Sequence, residues 1–368
     1  MCVEKNKYRI RPSVAIVKQE NYVEIFKSNV RESLRINIIY EKISDLLFQF
    51  NGIQDLYEIA SSNNIEIDDL IALATYLNNE NVLINVDCEY CLDDFNQNAR
   101  LYNSIEEYST STSEVVNKIS TLRKKTVLII GMGAVGTWLT HSLAMNGVLN
   151  FILVDDDKVE LSNLHRQDMM FENDIESYKV DAVERNLNDI GINNILKINE
   201  KLDDSFFEKH DLSFDLAINC SDYPSVDKTS EIISKFCMSK AIPHMIGGGY
   251  NLHLTLIGQA VIPGKTACYN CYDHALSKLS SDELYGVKKL HRPFRKIGSF
   301  APLCSLSASI TALEAFKILI EAYEYLTITN RRTEFRLETM DFSHIPIPKR
   351  QDCSWCGQNG IYKDERYD

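Results

Sequence analysis

At 368 residues and 45% apolar content, the chain is long enough for two domains and can bury a sizeable core. Its net charge of −13, from 52 acidic and 39 basic residues, argues against a nucleic-acid-binding role, because phosphate contacts along a polymer need a basic surface. A mononucleotide, which needs only a local patch, stays open. The N-terminus, Met1-Cys-Val-Glu-Lys-Asn-Lys7, carries no apolar signal region, and no run reaches membrane-spanning length, so a cytoplasmic protein without a membrane partner is expected.

In chain order, Tyr8 to Val17 alternates as one strand, and Val23–Phe26 and Leu34–Ile39 add two short ones. The period then changes. Tyr40–Phe50 reads as an amphipathic helix stopped by Asn51-Gly52, Ile53–Ser61 as a second, and Ile67–Asn78 as a third with an acidic first turn at Asp68-Asp69. Asn81–Val86 closes the set as a strand. Residues 1–92 are therefore expected to form a small winged-helix-like domain. Residues 93–124 are polar and read as a linking segment, with Ser109–Ser113 its flexible part.

From Lys125 to Asp368 the pattern is α/β. Strands at Val127–Ile130, Phe151–Val154, Ile195–Ile198, Leu216–Asn219 and Pro243–Ile246 alternate with helices, which predicts a Rossmann-like domain with a mostly parallel sheet. A β-rich stretch, Leu252–Val261, comes next. The polar, basic segment Asp282–Gly298 reads as a mobile loop, and Leu306–Tyr323 as a long helix.

The first strand, Thr126-Val-Leu-Ile-Ile130, runs into Gly131-Met-Gly-Ala-Val-Gly136 and then a helix. In a GxGxxG turn so placed, Gly131 permits the tight turn, Gly133 admits a phosphate to the backbone, and Gly136 allows helix and strand to pack closely. Alone, such a turn is also compatible with packing without a ligand. The second strand ends in Asp155, positioned for a ribose. The chain beyond that strand is unlike a nicotinamide enzyme: it runs Asp155-Asp-Asp-Lys-Val-Glu-Leu-Ser-Asn-Leu-His-Arg-Gln167, then places Lys179 at a helix start and Asp222 after the fourth strand. Asn163 and Arg166 share a helical face, Arg166 offers a fork for phosphate, and Lys179 opposes the helix dipole. Asp222 is suited to hold Mg²⁺ against phosphates. For the neighbouring acids Asp156 and Asp157 the solvated-turn reading is favoured, and Asp157 is also carried as a candidate nucleotide-side residue. All these groups are expected at the carboxyl edge of one sheet, as an ATP site.

Ten cysteines are present. Cys268-Tyr-Asn-Cys271 and Cys353-Ser-Trp-Cys356 are two CxxC knuckles, which in a reducing compartment point to structural zinc more than to disulfides. Cys88-Glu-Tyr-Cys91 has no complementary pair and reads as packing or chance spacing. Cys304, near the start of the long helix, reads as a small buried residue. His291-Arg-Pro-Phe-Arg-Lys296 is either a solvated basic loop or a cover for the nucleotide.

The Gly-rich turn, the Asp155–Gln167 run, Lys179, Asp222 and the two CxxC pairs together resemble the ubiquitin-activating-type (ThiF/MoeB-like) adenylating enzymes, over Lys125 to Gly357. Ser221-Asp-Tyr-Pro224, Pro263–Cys271, Phe294-Arg295 and Ser299-Phe-Ala-Pro302 are similar to the branch that matures microcin-type ribosomal peptides, whose small N-terminal domain is a peptide clamp. The resemblance implies Asp155 on the ribose, Asn163, Arg166 and Lys179 around the phosphates, Asp222 as the metal-associated acid, and zinc on Cys268, Cys271, Cys353 and Cys356. It implies a homodimer that uses Mg²⁺-ATP to activate the C-terminal carboxylate or amide of a short precursor peptide. The product would be either a nucleotide–peptide P–N bond or a dehydrated ring. Relatives carry an arginine before the first strand that reaches the partner subunit's site. Here Ser104 takes that position, and Arg100, one turn away, either replaces it or is an ordinary surface residue. No cysteine stands in residues 272–303, so no thioester step is expected. The alternatives are an activator of a ubiquitin-like sulfur carrier and a non-catalytic peptide-presenting module.

Overall fold

The computed structural model describes residues 6–38, 42–283 and 298–362, which divide by their internal packing into two compact units, 1–120 and 121–368. The basic run His291–Lys296 lies outside the described residues.

The first unit opens with β1 (Lys7–Ile10), β2 (Val14–Lys18), β3 (Tyr22–Lys27) and β4 (Glu32–Asn37). It continues through α1 (Ile43–Phe48), β5 (Asn51–Asp55), α2 (Leu56–Asn63), α3 (Ile67–Asn79) and β6 (Leu83–Asn85), and then α4 (Leu92–Glu106) and α5 (Thr112–Lys124), the last crossing the division. Two antiparallel sheets form, in the orders β5-β1-β6 and β2-β3-β4. Val23, Ile25, Leu46, Leu47, Ile59, Leu70 and Leu77 close the core between them and the helices.

The run Tyr8–Val17 is two strands rather than one. Pro12 cannot donate to a ladder, and Arg11 beside it is buried, its guanidinium donating to the carbonyls of Leu83 (2.9 Å), Ser109 (2.7 Å) and Glu106. The second helix begins at Leu56 rather than Ile53. Asp55 and Glu58 form a reciprocal capping box, with Glu58 N–H 2.9 Å from Asp55 Oδ1 and Asp55 N–H 3.0 Å from Glu58 Oε2, while residues 51–55 pair with β1. Residues 93–124, expected as a link, are helical. Val115, Ile119 and Leu122 are buried at helical spacing in α5. Ser109–Ser113 is tied down, the Ser113 N–H lying 2.8 Å from Asp87 Oδ1 and the Thr112 hydroxyl 2.7 Å from the Cys88 carbonyl.

The second unit is the expected α/β domain. Its elements begin with β7 (Thr126–Ile130), α6 (Ala134–Met145), β8 (Asn150–Val154), α7 (Lys179–Asp189), β9 (Asn194–Ile198), α8 (Phe206–Lys209), β10 (Leu216–Asn219) and α9 (Val226–Ser239). They continue with β11 (His244–Met245), β12 (Gly249–Asn251), β13 (Leu254–Ile257), β14 (Ala260–Val261), α10 (Tyr269–Glu283), α11 (Ala301–Leu319), β15 (Arg331–Arg336) and β16 (Asp341–Pro346). Six strands lie in the order β14-β11-β10-β7-β8-β9, parallel except for the edge strand β14. Val127, Leu128, Ile129, Phe151, Leu153, Leu216 and Ala217 are almost fully buried, as continuous apolar strands covered on both faces must be. The order reverses about β7, which places the switch point, and the ligand crevice, at the carboxyl ends of β7, β8 and β10.

A second sheet, β12-β13-β15-β16, is antiparallel, and its last two strands are not evident in the sequence. Neither is α10, which takes in Asp282 and Glu283 from the expected loop. At 19 residues and mean hydropathy 1.3, α11 reaches the length and composition of a membrane span, contrary to the sequence expectation, but 56% of it is buried inside this unit, where it packs on α6.

His244 on β11 is fully buried. Its Nδ1 lies 3.1 Å from the Ile242 carbonyl, and its Nε2 has no partner among the described residues. Burial lowers its pKa to about 4 from the usual 6.5. The unfolded chain therefore takes up this proton first, and folding stability falls as pH drops below 6.5. The expected loss is about 2 kcal/mol by pH 5. Urea unfolding of wild type and His244→Leu at pH 7 and pH 5 should show this loss in the wild type and not in the variant.

Candidate functional site

The turn after β7 is built by close approach. Gly131 has φ +96°, and a Cβ there would stand 2.6 Å from the Cys220 backbone. A Cβ on Gly136 would lie 1.9 Å from the Gly131 carbonyl oxygen. Gly136→Ala is therefore expected to push α6 off the turn and cost about 1–3 kcal/mol, read as a lower urea midpoint with an unchanged slope. Gly133 differs from both. It is the N-cap of α6, and nothing lies within 4 Å of where its Cβ would be. No side chain caps α6 and its first turn holds no acid, so the helix-start N–H groups are left for anionic oxygens.

Gly131 and Gly133 line a cleft of about 300 Å³ together with Asp155, Asp156, Asp157, Lys179 and Asp222. Asp155, at the end of β8, accepts from the Met132 N–H (2.6 Å) and the Asp157 N–H (2.8 Å). Burial raises its pKa, and the Lys179 ammonium, 4.0 Å away, pulls it back. Lys179 is itself only 6% exposed at the first position of α7, with its ammonium 2.6 Å from Asp157 Oδ2. A buried ammonium at a cleft wall needs such partners, because leaving it unpaired would be costly. Asp222, beyond β10, is exposed, and its carboxylate has no side-chain partner among the described residues. One carboxylate facing a phosphate-sized cleft fits Mg²⁺, which keeps waters and takes its remaining ligands from substrate phosphates.

Other expected site residues stand apart from this lining. Asn163 is buried, and its Oδ1 accepts from the Glu160 N–H (3.0 Å), so it caps the short helical turn Leu161–Asn163. Arg166 is half-buried. It donates from Nη1 to the Ser162 carbonyl (2.6 Å), and its own carbonyl accepts from Trp138 Nε1 (3.0 Å). Burial raises the pKa of the Tyr250 phenol, and Ser299 and Arg166 draw it back. Arg100 is exposed on α4, its carbonyl accepting from the Ser104 hydroxyl at 2.9 Å. The sequence reading missed Glu200, Lys201, Leu202 and Tyr223, which line the cleft after β9 and β10. Their signal was position alone, just past the carboxyl ends of strands.

Cys268, Cys271, Cys353 and Cys356 are all buried, with sulfurs within 4.8 Å of one another. Cys268–Cys353 and Cys271–Cys356 are each 3.6 Å apart, near the ~3.8 Å edge of a tetrahedron with metal–sulfur bonds of about 2.3 Å. The Arg350 N–H approaches Cys271 Sγ (3.5 Å) and the Trp355 N–H approaches Cys353 Sγ (3.4 Å), the pattern that supports thiolates. Hydrogen bonds from Cys268 and Cys356 lower the Cys271 pKa. The donor set fits a closed structural zinc site. Cys88 is half-buried and Cys91 exposed, and neither belongs to a ligand cluster among the described residues. Cys304 is fully buried near the start of α11, its sulfur 3.4 Å from the Ser299 hydroxyl.

The ThiF family model matches residues 110–356. The molybdopterin-synthase adenylyltransferase of Escherichia coli (strain K12) is 26% identical over 238 residues, covering 64% of this chain and 89% of that protein. Among solved structures, E. coli MccB with MccA-N7isoASN has a TM-score of 0.77 at 20% identity, covering 95% of this chain and 99% of the other. E. coli MccB with AMPCPP and MccA has a TM-score of 0.75 at 21% identity, with the same coverage. These likenesses show the fold.

Proposed function

This chain belongs to the ThiF family, whose curated relatives are adenylyltransferases, and on that premise we propose that it adenylates the C-terminal carboxylate or amide of a short, ribosomally made precursor peptide. The observation that carries the reading is the cleft itself. Around one space of about 300 Å³ it gathers the start of α6, which no side chain among the described residues caps, Asp155, the buried Lys179, and Asp222, whose carboxylate has no side-chain partner among the described residues.

In the proposed reaction an oxygen of the peptide C-terminus attacks the α-phosphorus of ATP. A P–O bond forms there, the bond to the β-phosphate breaks, and pyrophosphate leaves. Lys179 offsets charge that builds on the phosphates and Asp155 holds the ribose, while Arg166 and Asn163, outside the cleft lining, are given no phosphate contact. Asp222 would hold Mg²⁺, which supplies Lewis-acid stabilisation of the leaving phosphates. The chain's own contribution is positioning and charge, so no side-chain nucleophile enters, and buried Cys304 has no part. Zinc on the four cysteines is structural in this reading, and the working unit is a homodimer.

Length favours a peptide over a ubiquitin-like sulfur carrier. The molybdopterin-synthase relative covers 64% of this chain, leaving more than a third without a counterpart. The MccB structures, solved with the peptide MccA, cover 95%. In the first unit β2 and β4 are the edges of their sheet, and either can take an extended peptide as an added strand. The test is exchange of labelled pyrophosphate into ATP by the full chain, with a short peptide encoded beside the gene or with a ubiquitin-like carrier. Exchange with the peptide is expected. Exchange with the carrier alone transfers the reading to sulfur-carrier activation.

A further inference from the structure

Lys201 lies just past β9 and Tyr223 just past β10, and in the sheet these two strands are separated by β7 and β8. At a strand spacing of about 4.8 Å, β9 and β10 stand about 14 Å apart. Their side chains nevertheless meet: Lys201 Nζ lies 4.4 Å from the centre of the Tyr223 ring. That contact spans the carboxyl ends of the two strands that carry Gly131 and Asp155, so it crosses the mouth of the cleft that both residues line. Asp156 anchors it, its Oδ2 3.5 Å from Lys201 Nζ. Asp156, read from sequence as a solvated turn acid, thus has a partner on the cleft wall. Tyr223 as a whole is 64% exposed, which leaves surface for a further partner.

The direction of a nucleotide in this cleft is set by its polar groups. Phosphates belong at Gly133 and the start of α6, and the ribose belongs at Asp155. A base continuing past Asp155 heads for the β9 side, where Leu202, only 7% exposed, offers an apolar floor and the Tyr223 ring lies above beside Lys201. We propose that Tyr223 and Lys201 form a clasp over the purine end of bound ATP, in which the Tyr223 ring stacks on the base and Lys201, held by Asp156, keeps the ring across the mouth. The clasp rests on the reading of the cleft as an ATP site, and it names binding residues rather than catalytic ones. Stacking reads a π-face and not an edge pattern, so it contributes affinity to purine nucleotides as a class.

The test is equilibrium binding of ATP to the full chain, measured by calorimetry without peptide, for wild type, Tyr223→Ala, Tyr223→Phe and Lys201→Ala. Truncating an exposed ring leaves no cavity, so Tyr223→Ala is expected to fold. It should bind ATP about tenfold more weakly, the size of one lost base–aromatic stack. Tyr223→Phe should restore most of that affinity, and Lys201→Ala should lose about threefold, the size of an exposed cation–π contact. ATP bound equally by wild type and Tyr223→Ala, or as poorly by Tyr223→Phe as by Tyr223→Ala, overturns the clasp and leaves adenylation standing. ATP binding that depends on Tyr223, without pyrophosphate exchange with any peptide or carrier, overturns adenylation and leaves the clasp. Wild type that binds no ATP overturns both.

Discussion

Asp222→Ala is expected to lose pyrophosphate exchange by at least a hundredfold while keeping wild-type thermal stability. The carboxylate is exposed past the end of β10, and no side chain among the described residues depends on it, so its removal leaves no buried group unpaired. The substitution removes the acid that would hold Mg²⁺ at the phosphates, where a single lost electrostatic contact to the transition state costs about 10²–10³ in rate. Asp222→Asn separates charge from shape. It keeps an oxygen at the same reach but carries no negative charge, and it should be nearly as inactive as Asp222→Ala. Exchange that survives in both variants removes Asp222 from the metal role. Loss of folding in either one moves it from chemistry to structure.

The second large effect belongs to the cysteines. Cys353 and Cys356 sit near the C-terminal end of the described chain, while Cys268 and Cys271 begin α10, and the two knuckles meet within a cluster that includes Met238, Ile246, Tyr269 and Ile347. A metal there would clip the tail onto the domain, and structural zinc contributes about 10 kcal/mol or more to folds that form around it. Metal analysis should find about one zinc per chain, the content of one four-cysteine site. Cys268→Ser and Cys353→Ser should each lose the zinc and expose the segment after β16 to protease, with the Asp155–Lys179 side of the cleft still able to bind ATP. Zinc retained in both variants overturns the assignment.

These two sites were legible in the sequence for different reasons. The knuckles are local: two residues between cysteines set the geometry of half a site, and only the meeting of the halves needed the fold. The cleft was legible because parallel strands covered on both faces read as continuous apolar runs, and because ligands gather at their carboxyl ends. Asp155 and Asp222 could be placed by that rule, whereas Lys179 was placed by its position at a helix start and by the family resemblance. Glu200 and Lys201 obey the same rule but carry no motif, and Tyr223 lay in the family-like stretch Ser221–Pro224 without a role, so their place on the wall became visible only with the strand order. Asn163 and Arg166 show the converse. Their run is distinctive, yet neither residue lines the cleft: Asn163 caps the short helical turn Leu161–Asn163, and Arg166 donates to the Ser162 carbonyl.

The misread elements also have physical causes. α5 buries Val115, Ile119 and Leu122 within a polar sequence, so its three-residue stripe was outweighed by the serines and threonines before it. β15 and β16 carry arginine, glutamate and histidine, and they are strands because each pairs in register with a neighbour, Leu254 opposite Arg336 and Phe335 opposite Phe342. Pairing of that kind depends on partners distant in sequence, which local pattern does not report. Pro12, by contrast, was a readable signal that the first strand breaks, and the buried Arg11 beside it is the reason that the break persists.

The most direct measurement traces the label of ATP when the full chain is incubated with Mg²⁺ and the candidate peptide. Label on the γ-phosphate should appear in pyrophosphate, and label on the α-phosphate in AMP or in a peptide whose mass has increased by adenylation. Release of orthophosphate with ADP, and no AMP-bearing species, contradicts attack at the α-phosphorus.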